Sequence, residues 1–518
     1  MNELNFKKAV FLLSFLIVNP VFSEKTHDHH ENSSLLNKSD NEEFSKSTEG
    51  LPFVKKTESI QLKDGQNFTL IASEVKQKIG GKIIKRYAYN GSIPGPILEI
   101  QKGAKINIKF INKTETDQTL HSHGLRLDYR FDGAVGLGQK APVKPGESFD
   151  YKLTFPDAGV YWYHPHIRED YSQNMGLYGN FIVKQESEKR ILQVNKIIPL
   201  MLSDYLLDPK AQPFYKNRAN YAAMGRFGNI LLINGVDNYK EKINEGDVIR
   251  FYLTNTANTR TFNFKIPNAK IKLVAADASP YVQQQWIDNI TISPSERYTI
   301  DVLFKNKGTY NIQNSTPEKS QNFGIIIVGN NKSEISYEKN FLQLKENKEL
   351  KNEISSISKY FDKKVDKQLK ISVDMKMDHS GHGENPEIEW EDNMPTMNSF
   401  MTSKDVTWQL IDLETNKINM DVNWIFKKGQ YYKIRIFNDP NSKHPMQHPI
   451  HFHGQKFLVL SDNNVKNPNL AWKDTFLVKT GHTVDILLEA SNIGKWMAHC
   501  HIAEHLTAAM MIGFKVEN

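Results

Sequence analysis

The sequence lacks a second cysteine, a large surplus of either charge and a long apolar run. Its 518 residues include one cysteine, so no disulfide can form within the chain. The 66 basic and 59 acidic side chains leave a formal net charge of +7, and no basic run lies beside aromatic residues, so nucleic-acid binding is not predicted. The apolar run AVFLLSFLIV is too short to span a bilayer, and no membrane anchor is expected.

The N-terminus has the form of a secretory signal. Lys7 and Lys8 precede the apolar run, and the small residue Ser23 follows it. We therefore predict a signal peptide at 1–23 and export of the protein, either to the periplasm or to the exterior. Residues 24–50 are polar and rich in Ser, Asn and Glu, which is typical of a disordered leader.

Beyond the leader, one pattern occurs three times. The segments KGAKINIKFINKT, EGDVIRFYLTNTANT and KGQYYKIRIFNDP each join a glycine turn to a largely alternating run with β-branched and aromatic residues, which indicates a strand. A second trio, with a strand, a glycine turn and a strand, follows in the same order. Tandem repeats of short strands favour β-sandwiches. We predict an all-β protein of three tandem sandwiches, with domain 1 at 51–188, domain 2 at 189–340 and domain 3 at 341–518.

Histidines follow the strands of the first and third repeats but not those of the second. LHSHG and WYHPH belong to the first repeat and HPIHFHG and MAHCH to the third, whereas the second has RTFNF and YNIQN in these places. Histidines at i and i+2 of a strand point to one face, so four such pairs would deliver eight imidazoles to one cavity. We predict that domains 1 and 3 share a metal site and that domain 2 is a spacer without ligands. Ten of the seventeen histidines lie in these motifs: His121, His123, His164, His166, His448, His451, His453, His499, His501 and His505.

The only cysteine lies in the last of these motifs, HCHIAEHLTAAMM. A cysteine without a disulfide partner is a buried spectator, a nucleophile or a metal ligand. On a strand, Cys500 would point to the face opposite to His499 and His501, which places two sites back to back. His505 and Met510 would close around the thiolate, and with one more histidine they would form a blue-copper electron-transfer centre.

In the order and spacing of the four motifs, and in its repeats, the chain resembles the three-domain bacterial multicopper oxidases, which include laccases, cuprous oxidases and copper-resistance oxidases. The resemblance implies three cupredoxin-like Greek-key domains and a monomer with four coppers per chain. A donor would be oxidised one electron at a time at a type 1 copper. Dioxygen would be reduced to two waters at one type 2 copper and a type 3 pair.

The same resemblance implies a role for each ligand. Four residues would hold the type 1 copper, the last of them as axial ligand: His448, Cys500, His505 and Met510. Two histidines would hold the type 2 copper: His121 and His451. Six more would hold the type 3 pair: His123, His164, His166, His453, His499 and His501.

Two acidic residues also match positions of this family. Asp132 in FDGAVG matches an acid near the cluster that would orient water and aid proton delivery; an ordinary Asp–Gly turn is the alternative. Asp474 in AWKDTF matches a residue that supports a type 1 histidine and holds the orientation of its ring. The chain has Ser122 where Trp is common and Leu506 where some relatives have glutamate. Glu504 is interpreted to lie on a different face, which leaves the proton route open.

The electron donor is indicated by one segment, MKMDHSGHGENPEIEWEDNMPTMNSFM at 375–401. Thioethers favour Cu(I), and the segment resembles the methionine-rich insertions of copper-resistance and cuprous oxidases. We interpret it as an insertion in domain 3 that recruits Cu(I); a loop without function is the alternative. Seven residues would serve this role: Met375, Met377, His379, His382, Met394, Met397 and Met401.

Several donors and functions stay open at this point. Oxidation of Cu(I), in copper tolerance, is the first interpretation. Laccase-like oxidation of phenols or aromatic amines follows it, and Fe(II) is a further donor. A copper-sequestering protein would bind copper without turnover. A copper nitrite reductase fits less well, because its repeat has two domains and its ligand set is simpler.

Overall fold

The computed structural model of the protein describes residues 43–185, 193–207, 215, 217–376 and 386–518. The predicted signal peptide and most of the predicted leader lie outside these residues. The described chain forms three sandwiches of two sheets each in sequence order, so the predicted all-β fold is confirmed. Within the described ranges, no helix has the length and apolar character needed to cross a membrane.

Domain 1 supplies the first histidine motifs. Its elements are β1 (Ser59–Leu62), β2 (Asn67–Ile79), β3 (Lys82–Tyr89), β4 (Ile97–Gln101), β5 (Lys105–Lys113), β6 (His121–His123), β7 (Ser148–Thr154), β8 (Gly159–His164), α1 (Glu169–Ser172) and β9 (Gly179–Lys184), with a 3-10 turn at Tyr129–Phe131. The sheets have the orders β1-β4-β9-β8-β6 and β3-β2-β5-β7. In β5, Ile106, Ile108 and Phe110 are buried, because alternate side chains of a strand point to the core.

Domain 2 lies between the two domains that have histidine motifs. Its strands are β10 (Lys196–Tyr205), β11 (Ile230–Ile233), β12 (Tyr239–Glu245), β13 (Val248–Asn255), β14 (Phe262–Lys265), β15 (Lys270–Ala276), β16 (Ser279–Ile287), β17 (Ile290–Ile292), β18 (Arg297–Leu303), β19 (Gly308–Ser315) and β20 (Ser320–Lys332). The sheets have the orders β11-β10-β13-β18-β15-β16 and β12-β20-β19-β14-β17. Two helices lie at the predicted boundary with domain 3 and just after it: α2 (Glu338–Phe341) and α3 (Lys348–Ile357), with a 3-10 turn at Ser358–Tyr360.

Domain 3 supplies the remaining motifs. Its elements are β21 (Lys367–Met375), α4 (Pro395–Phe400), β22 (Val406–Asp412), a 3-10 turn (Asn419–Asp421), β23 (Asn423–Lys427), β24 (Gln430–Asn438), β25 (His448–Phe452), β26 (Lys456–Asp462), β27 (Val465–Lys466), β28 (Trp472–Lys473), β29 (Thr475–Val478), β30 (Thr483–Ala490), β31 (Gly494–Cys500), α5 (Ala503–Thr507) and β32 (Met511–Glu517). One sheet has the order β22-β21-β24-β30-β26-β27, with β28 paired to β26, and the other has the order β23-β32-β31-β25-β29.

The sequence repeat appears in the turns before β5, β13 and β24. Gly103, Gly246 and Gly429 have φ angles of +89°, +86° and +79°. A residue with a Cβ is strained in this left-handed region, whereas glycine adopts it readily. The same turn therefore begins the equivalent strand of each sandwich.

The predicted leader ends earlier than residue 50. The Phe44 ring is buried and stacks on the ring of Tyr171, with centroids 4.1 Å apart. Its N–H donates to the carbonyl of Tyr215 at 3.0 Å. The prediction of disorder throughout 24–50 is therefore wrong from Phe44 onward, because this apolar ring completes the core of domain 1.

Candidate metal centre

Two histidines close around the cysteine in the core of domain 3. His448 lies at the start of β25, Cys500 at the end of β31 and His505 on α5. The Cys500 Sγ is 3.5 Å from His448 Nδ1 and 3.8 Å from His505 Nδ1, and the two nitrogens are 3.3 Å apart. All three side chains are fully buried. These residues, the Cys500 group, present one sulfur and two nitrogen atoms at the separation that a shared metal ion requires.

Met510 belongs to the same part of the core. It is fully buried, and its carbonyl accepts the N–H of Cys500 at 3.1 Å. The backbone therefore brings this methionine next to the Cys500 group, where its role as axial ligand stays a prediction.

The other histidines of the four motifs meet between domains 1 and 3. In domain 1, β6 pairs with β8 so that His121 lies opposite His164. In domain 3, β25 pairs with β31 so that His451 lies opposite His499. The two sets are in contact, since the ring centroids of His121 and His453 are 4.1 Å apart. All members of this eight-histidine group are buried: His121, His123, His164, His166, His451, His453, His499 and His501.

The ring nitrogens of this group show that the donor set fits metal ions. Nδ1 of His121 donates to the Asp132 carbonyl at 2.7 Å, and Nδ1 of His164 donates to the Pro165 carbonyl at 2.8 Å. Such a bond on one nitrogen orients the other as a ligand. Among the described residues, buried nitrogens without a hydrogen-bond partner include Nε2 of His121, His164, His166 and His451, Nδ1 of His123 and both nitrogens of His501. Buried polar atoms rarely stay unpaired, so this concentration indicates a metal centre.

The protonation states also suit metal binding. Burial lowers the pKa of His453 to about 4 and that of His501 to about 3, so both rings are neutral at neutral pH. Burial raises the pKa of the Cys500 thiol. A bound cation would therefore be needed to stabilise the thiolate in this apolar environment.

We expect the copper-free protein to lose stability in mild acid. The folded-state pKa values of His448, His453 and His501, about 3 to 4, lie below the value of 6.5 for a free imidazole. The unfolded chain therefore binds more protons below this value. Stability is fully present above pH 6.5 and falls as the pH decreases towards 4, by up to about 1.4 kcal/mol per histidine and pH unit. Chemical unfolding at a series of pH values measures this slope, and a flat profile would contradict the prediction.

Asp132 lies against the eight-histidine group. Its Oδ2 accepts a hydrogen bond from His453 Nδ1 at 2.7 Å, and its Oδ1 is 3.4 Å from His121 Nδ1. Burial alone would raise the pKa of Asp132, but the contacts with His453 and His121 outweigh this effect and hold the pKa below its usual range. The carboxylate thus orients rings from both domains, while its role in proton delivery stays a prediction.

Asp474 also lies at the eight-histidine group, which corrects its predicted role. Its Oδ1 is 3.1 Å from His123 Nε2, and its carbonyl accepts the Nδ1–H of His451 at 2.8 Å. The prediction that it supports a type 1 histidine beside Cys500 is wrong. The reason is the register of β29 on β25, which places Thr475, the next residue, opposite His451.

Two further buried acids lie on α1 and α5: Glu169, which sequence reasoning missed, and Glu504, which is interpreted from the sequence to lie on a different face. Glu169 Oε1 is 3.1 Å from His166 Nδ1. Because His166 precedes α1, helical spacing does not relate the two residues, and the sequence has no local signal for this contact. Glu504 on α5 accepts hydrogen bonds from Asn258 at 3.1 Å and Thr259 at 3.0 Å, so it faces domain 2. Burial raises the pKa of both carboxyl groups, that of Glu504 to about 7.

The methionines of 375–401 do not form one surface insertion. Met375 ends β21, and both Met375 and Met401 lie in the core of domain 3 with 3% of their surface exposed. The prediction that these two recruit Cu(I) at the surface is therefore wrong, because their side chains fill the sandwich. Met397 on α4 is 39% exposed, and Met394 is half-buried. The remaining candidates lie outside the described residues: Met377, His379 and His382.

Three sandwiches with a thiol–imidazole group beside eight further imidazoles define a candidate multinuclear metal protein. Residues 72–188, 196–334 and 389–518 each match a family model described as multicopper oxidase. These segments span most of the chain, and the chain belongs to the multicopper oxidase family. It is therefore an oxidoreductase of a family that binds copper and uses O2 and a reducing substrate.

Similar proteins come from bacteria and fungi. The chain is 28% identical to the multicopper oxidase mco of Staphylococcus epidermidis over 95% of this chain and 97% of that protein. It is 24% identical to laccase-1 of Botryotinia fuckeliana over 82% of this chain and 77% of that protein. The structure of a multicopper oxidase from Campylobacter jejuni, described as a metallo-oxidase, matches 92% of this chain and 99% of that chain with a TM-score of 0.68 and 24% identity. The predicted cupredoxin-like architecture is confirmed.

Proposed function

We propose that the protein oxidises a donor one electron at a time at a type 1 copper and reduces dioxygen to water at a cluster of three coppers. One observation carries the proposal: Cys500 belongs to the Cys500 group, whereas its neighbours His499 and His501 belong to the eight-histidine group. Successive residues of a strand point to opposite faces, so a single strand joins the two groups. His499 Nδ1 also donates to the Cys500 carbonyl at 2.8 Å, which gives a short path between them.

Each group would hold its copper with residues that the fold orients in advance. The Cys500 group, with Met510, would hold the type 1 copper. His121 and His451 would hold the type 2 copper, and the other six members of the eight-histidine group would hold the type 3 pair. When bound, these coppers supply the one-electron redox steps. The protein contributes orientation of the rings, through Asp132 and backbone carbonyls, and exclusion of water by burial.

The surroundings of the Cys500 group favour a small donor. His505 Nε2 donates to the carbonyl of Ala223 at 3.2 Å, and the Trp408 ring stacks on His505 with centroids 4.2 Å apart. Trp408 Nε1 donates to the carbonyl of Ala222 at 2.9 Å. Neither His448 nor His505 has any exposed surface. A bulky phenol would therefore not contact either ring directly.

A thioether and an imidazole lie close to Trp408, the ring that stacks on His505. Met224 Sδ is 2.9 Å from His444 Nε2, and both side chains are buried. The His444 ring is 6.2 Å from the ring of Trp408. Because these ligand types suit Cu(I), we propose Cu(I) as the donor and copper tolerance of an exported protein as the role. The description of the Campylobacter jejuni relative as a metallo-oxidase supports a metal donor.

Oxygen uptake by the copper-loaded mature protein tests this proposal, with Cu(I), Fe(II) and a simple methoxyphenol as parallel donors. Rapid uptake with Cu(I) would support it. Uptake with the phenol alone would instead indicate a laccase, as the Botryotinia fuckeliana relative is named. Copper binding without uptake from any donor would indicate a sequestering protein.

We expect Met224→Leu to weaken the use of Cu(I). Leucine nearly conserves the volume of methionine, so the fold should be retained, but the thioether ligand is lost. The KM for Cu(I) should rise about tenfold while oxidation of the phenol is unchanged. Met201→Leu, at another buried methionine of domain 2, should leave both activities unchanged. Equal KM values for Cu(I) in Met224→Leu and the wild type would exclude Met224 from donor binding.

A further inference from the structure

A buried ion pair connects domain 2 to the candidate metal centre. Arg297, the first residue of β18, is fully buried. Its Nη1 and Nη2 donate to Asp474 Oδ1 at 2.6 Å and to Asp474 Oδ2 at 2.5 Å. Two parallel bonds of this kind define the orientation of a carboxylate as well as its position. Domain 2 therefore does more than separate domains 1 and 3, which corrects its prediction as a spacer.

The carboxylate that Arg297 holds lies next to two candidate ligands. Asp474 contacts His123 Nε2 through its side chain and His451 Nδ1 through its carbonyl. The rings of His123 and His451 are themselves stacked, with centroids 3.7 Å apart. His123 belongs to domain 1 and His451 to domain 3, so one residue held by domain 2 orients rings from both other domains.

A second contact from domain 2 reaches the same rings. Ser295 Oγ donates to Thr475 Oγ1 at 3.1 Å. Thr475 Oγ1 lies 3.2 Å from His123 Nε2 and 3.2 Å from His451 Nδ1. The segment that begins β18 thus contacts both Asp474 and Thr475, and these two residues contact the same pair of histidines.

The space around the ion pair is closely filled. Gly124 follows His123 directly, and a Cβ at this position would collide with Asp474 Oδ2 and lie 2.8 Å from Arg297 Nη2. On its other side, Arg297 Nε donates to the Val160 carbonyl at 2.9 Å. Its backbone N–H donates to Asp277 Oδ1 at 2.9 Å. The guanidinium is therefore held in one place. Removing it would leave the negative charge of the buried Asp474 carboxylate without its arginine partner.

We propose that Arg297 is a positioning residue that orients His123 and His451 through Asp474, and that the middle domain thereby controls copper occupancy at these ligands. The inference rests on the proposed function, which assigns His451 to the type 2 copper and His123 to the type 3 pair. Outer residues that hold ligand rings commonly change metal affinity by about 10- to 100-fold when they are replaced.

The test compares two replacements of Arg297 with a matched control. Arg297→Met removes the charge, and Arg297→Lys keeps the charge but loses the planar fork. Arg250→Met is the control, because Arg250 forms the same kind of bidentate pair with Asp301, at 2.7 and 2.9 Å, in the same sheet. Copper per chain, the paramagnetic resonance signal of the type 2 copper and the blue absorption are measured on the copper-loaded full protein.

We expect Arg297→Met to keep the blue absorption while its type 2 signal weakens and its copper affinity at that site falls about 10- to 100-fold. Arg297→Lys should restore part of this loss, and Arg250→Met should match the wild type. An unchanged type 2 signal and copper content in both Arg297 variants would overturn the inference, as would an equal loss in Arg250→Met. If Arg297→Met does not fold, Arg297→Lys alone decides between these results. A wild type without blue absorption would instead contradict the proposed function.

Discussion

Cys500→Ser is expected to abolish the blue absorption and to reduce donor oxidation to the background rate, about a thousandfold or more, while the fold is retained. The thiolate is the only sulfur anion that the chain offers at this site, since the sequence has one cysteine. Serine is nearly isosteric with cysteine, but its hydroxyl is a poor ligand for copper at neutral pH. Oxygen uptake and the visible spectrum of the copper-loaded variant measure the effect.

Cys500→Ser should lower the free energy of unfolding only slightly, and a control variant with a similar loss of stability is available. The N–H of Ile502 donates to Cys500 Sγ at 3.4 Å and can donate to a serine oxygen instead, so the free energy of unfolding should fall by about 1 kcal/mol. Ala498→Ser places a hydroxyl at another fully buried position of β31, two residues earlier and on the same face. This control should lose similar stability and keep its blue absorption. Donor oxidation at the wild-type rate in Cys500→Ser would exclude Cys500 from the electron path.

His453→Gln is expected to separate electron entry from dioxygen reduction. His453 Nε2 is 2.9 Å from His499 Nε2, and its Nδ1 donates to Asp132. Its loss removes one imidazole from the eight-histidine group and one donor from the Asp132 carboxylate. The Cys500 group shares none of these residues, so the blue absorption should form and should disappear when a donor is added without air.

In the second half of this experiment, air is admitted to the reduced protein and the return of the blue absorption is followed. The blue absorption should stay absent in His453→Gln, and steady oxygen uptake should fall by about a thousandfold. His482→Gln is the control, because His482 lies outside both groups, with its Nδ1 2.6 Å from Asp462 Oδ1. It should recover its colour as the wild type does. Recovery of colour at the normal rate in His453→Gln would show that dioxygen is reduced without this histidine.

Local sequence pattern was enough to predict the sandwiches and the side of the strand to which each candidate ligand points. The alternation in β5 places its apolar side chains in the core. The same period of two sends His499 and His501 to one side of the strand and Cys500 to the other. The three repeats place these strands in equivalent positions, and the absence of histidine from the middle repeat is visible in the letters alone.

The predictions for Met375 and Phe44 were wrong because local composition does not determine whether a side chain is buried. Strand periodicity determines it for Met375, and tertiary packing determines it for Phe44. Leu369, Ile371 and Val373 are the buried positions of β21, and Met375 continues their alternation, so the pattern itself predicts a core methionine. The methionine-rich composition of the segment suggested a surface role instead. Phe44 has no such signal, because one apolar ring in a polar stretch becomes a core residue only where a complementary surface exists, here that of Tyr171.

The sequence by itself determined the fold class, the repeat and the faces on which the candidate ligands lie, because these depend on the geometry of single strands. The tertiary structure decided which distant groups hold the ligands. Asp132 and His453 are 321 residues apart, Arg297 and Asp474 are 177 apart, and Met224 and His444 are 220 apart. Such contacts depend on how three sandwiches pack against one another, and no period within a strand encodes that arrangement.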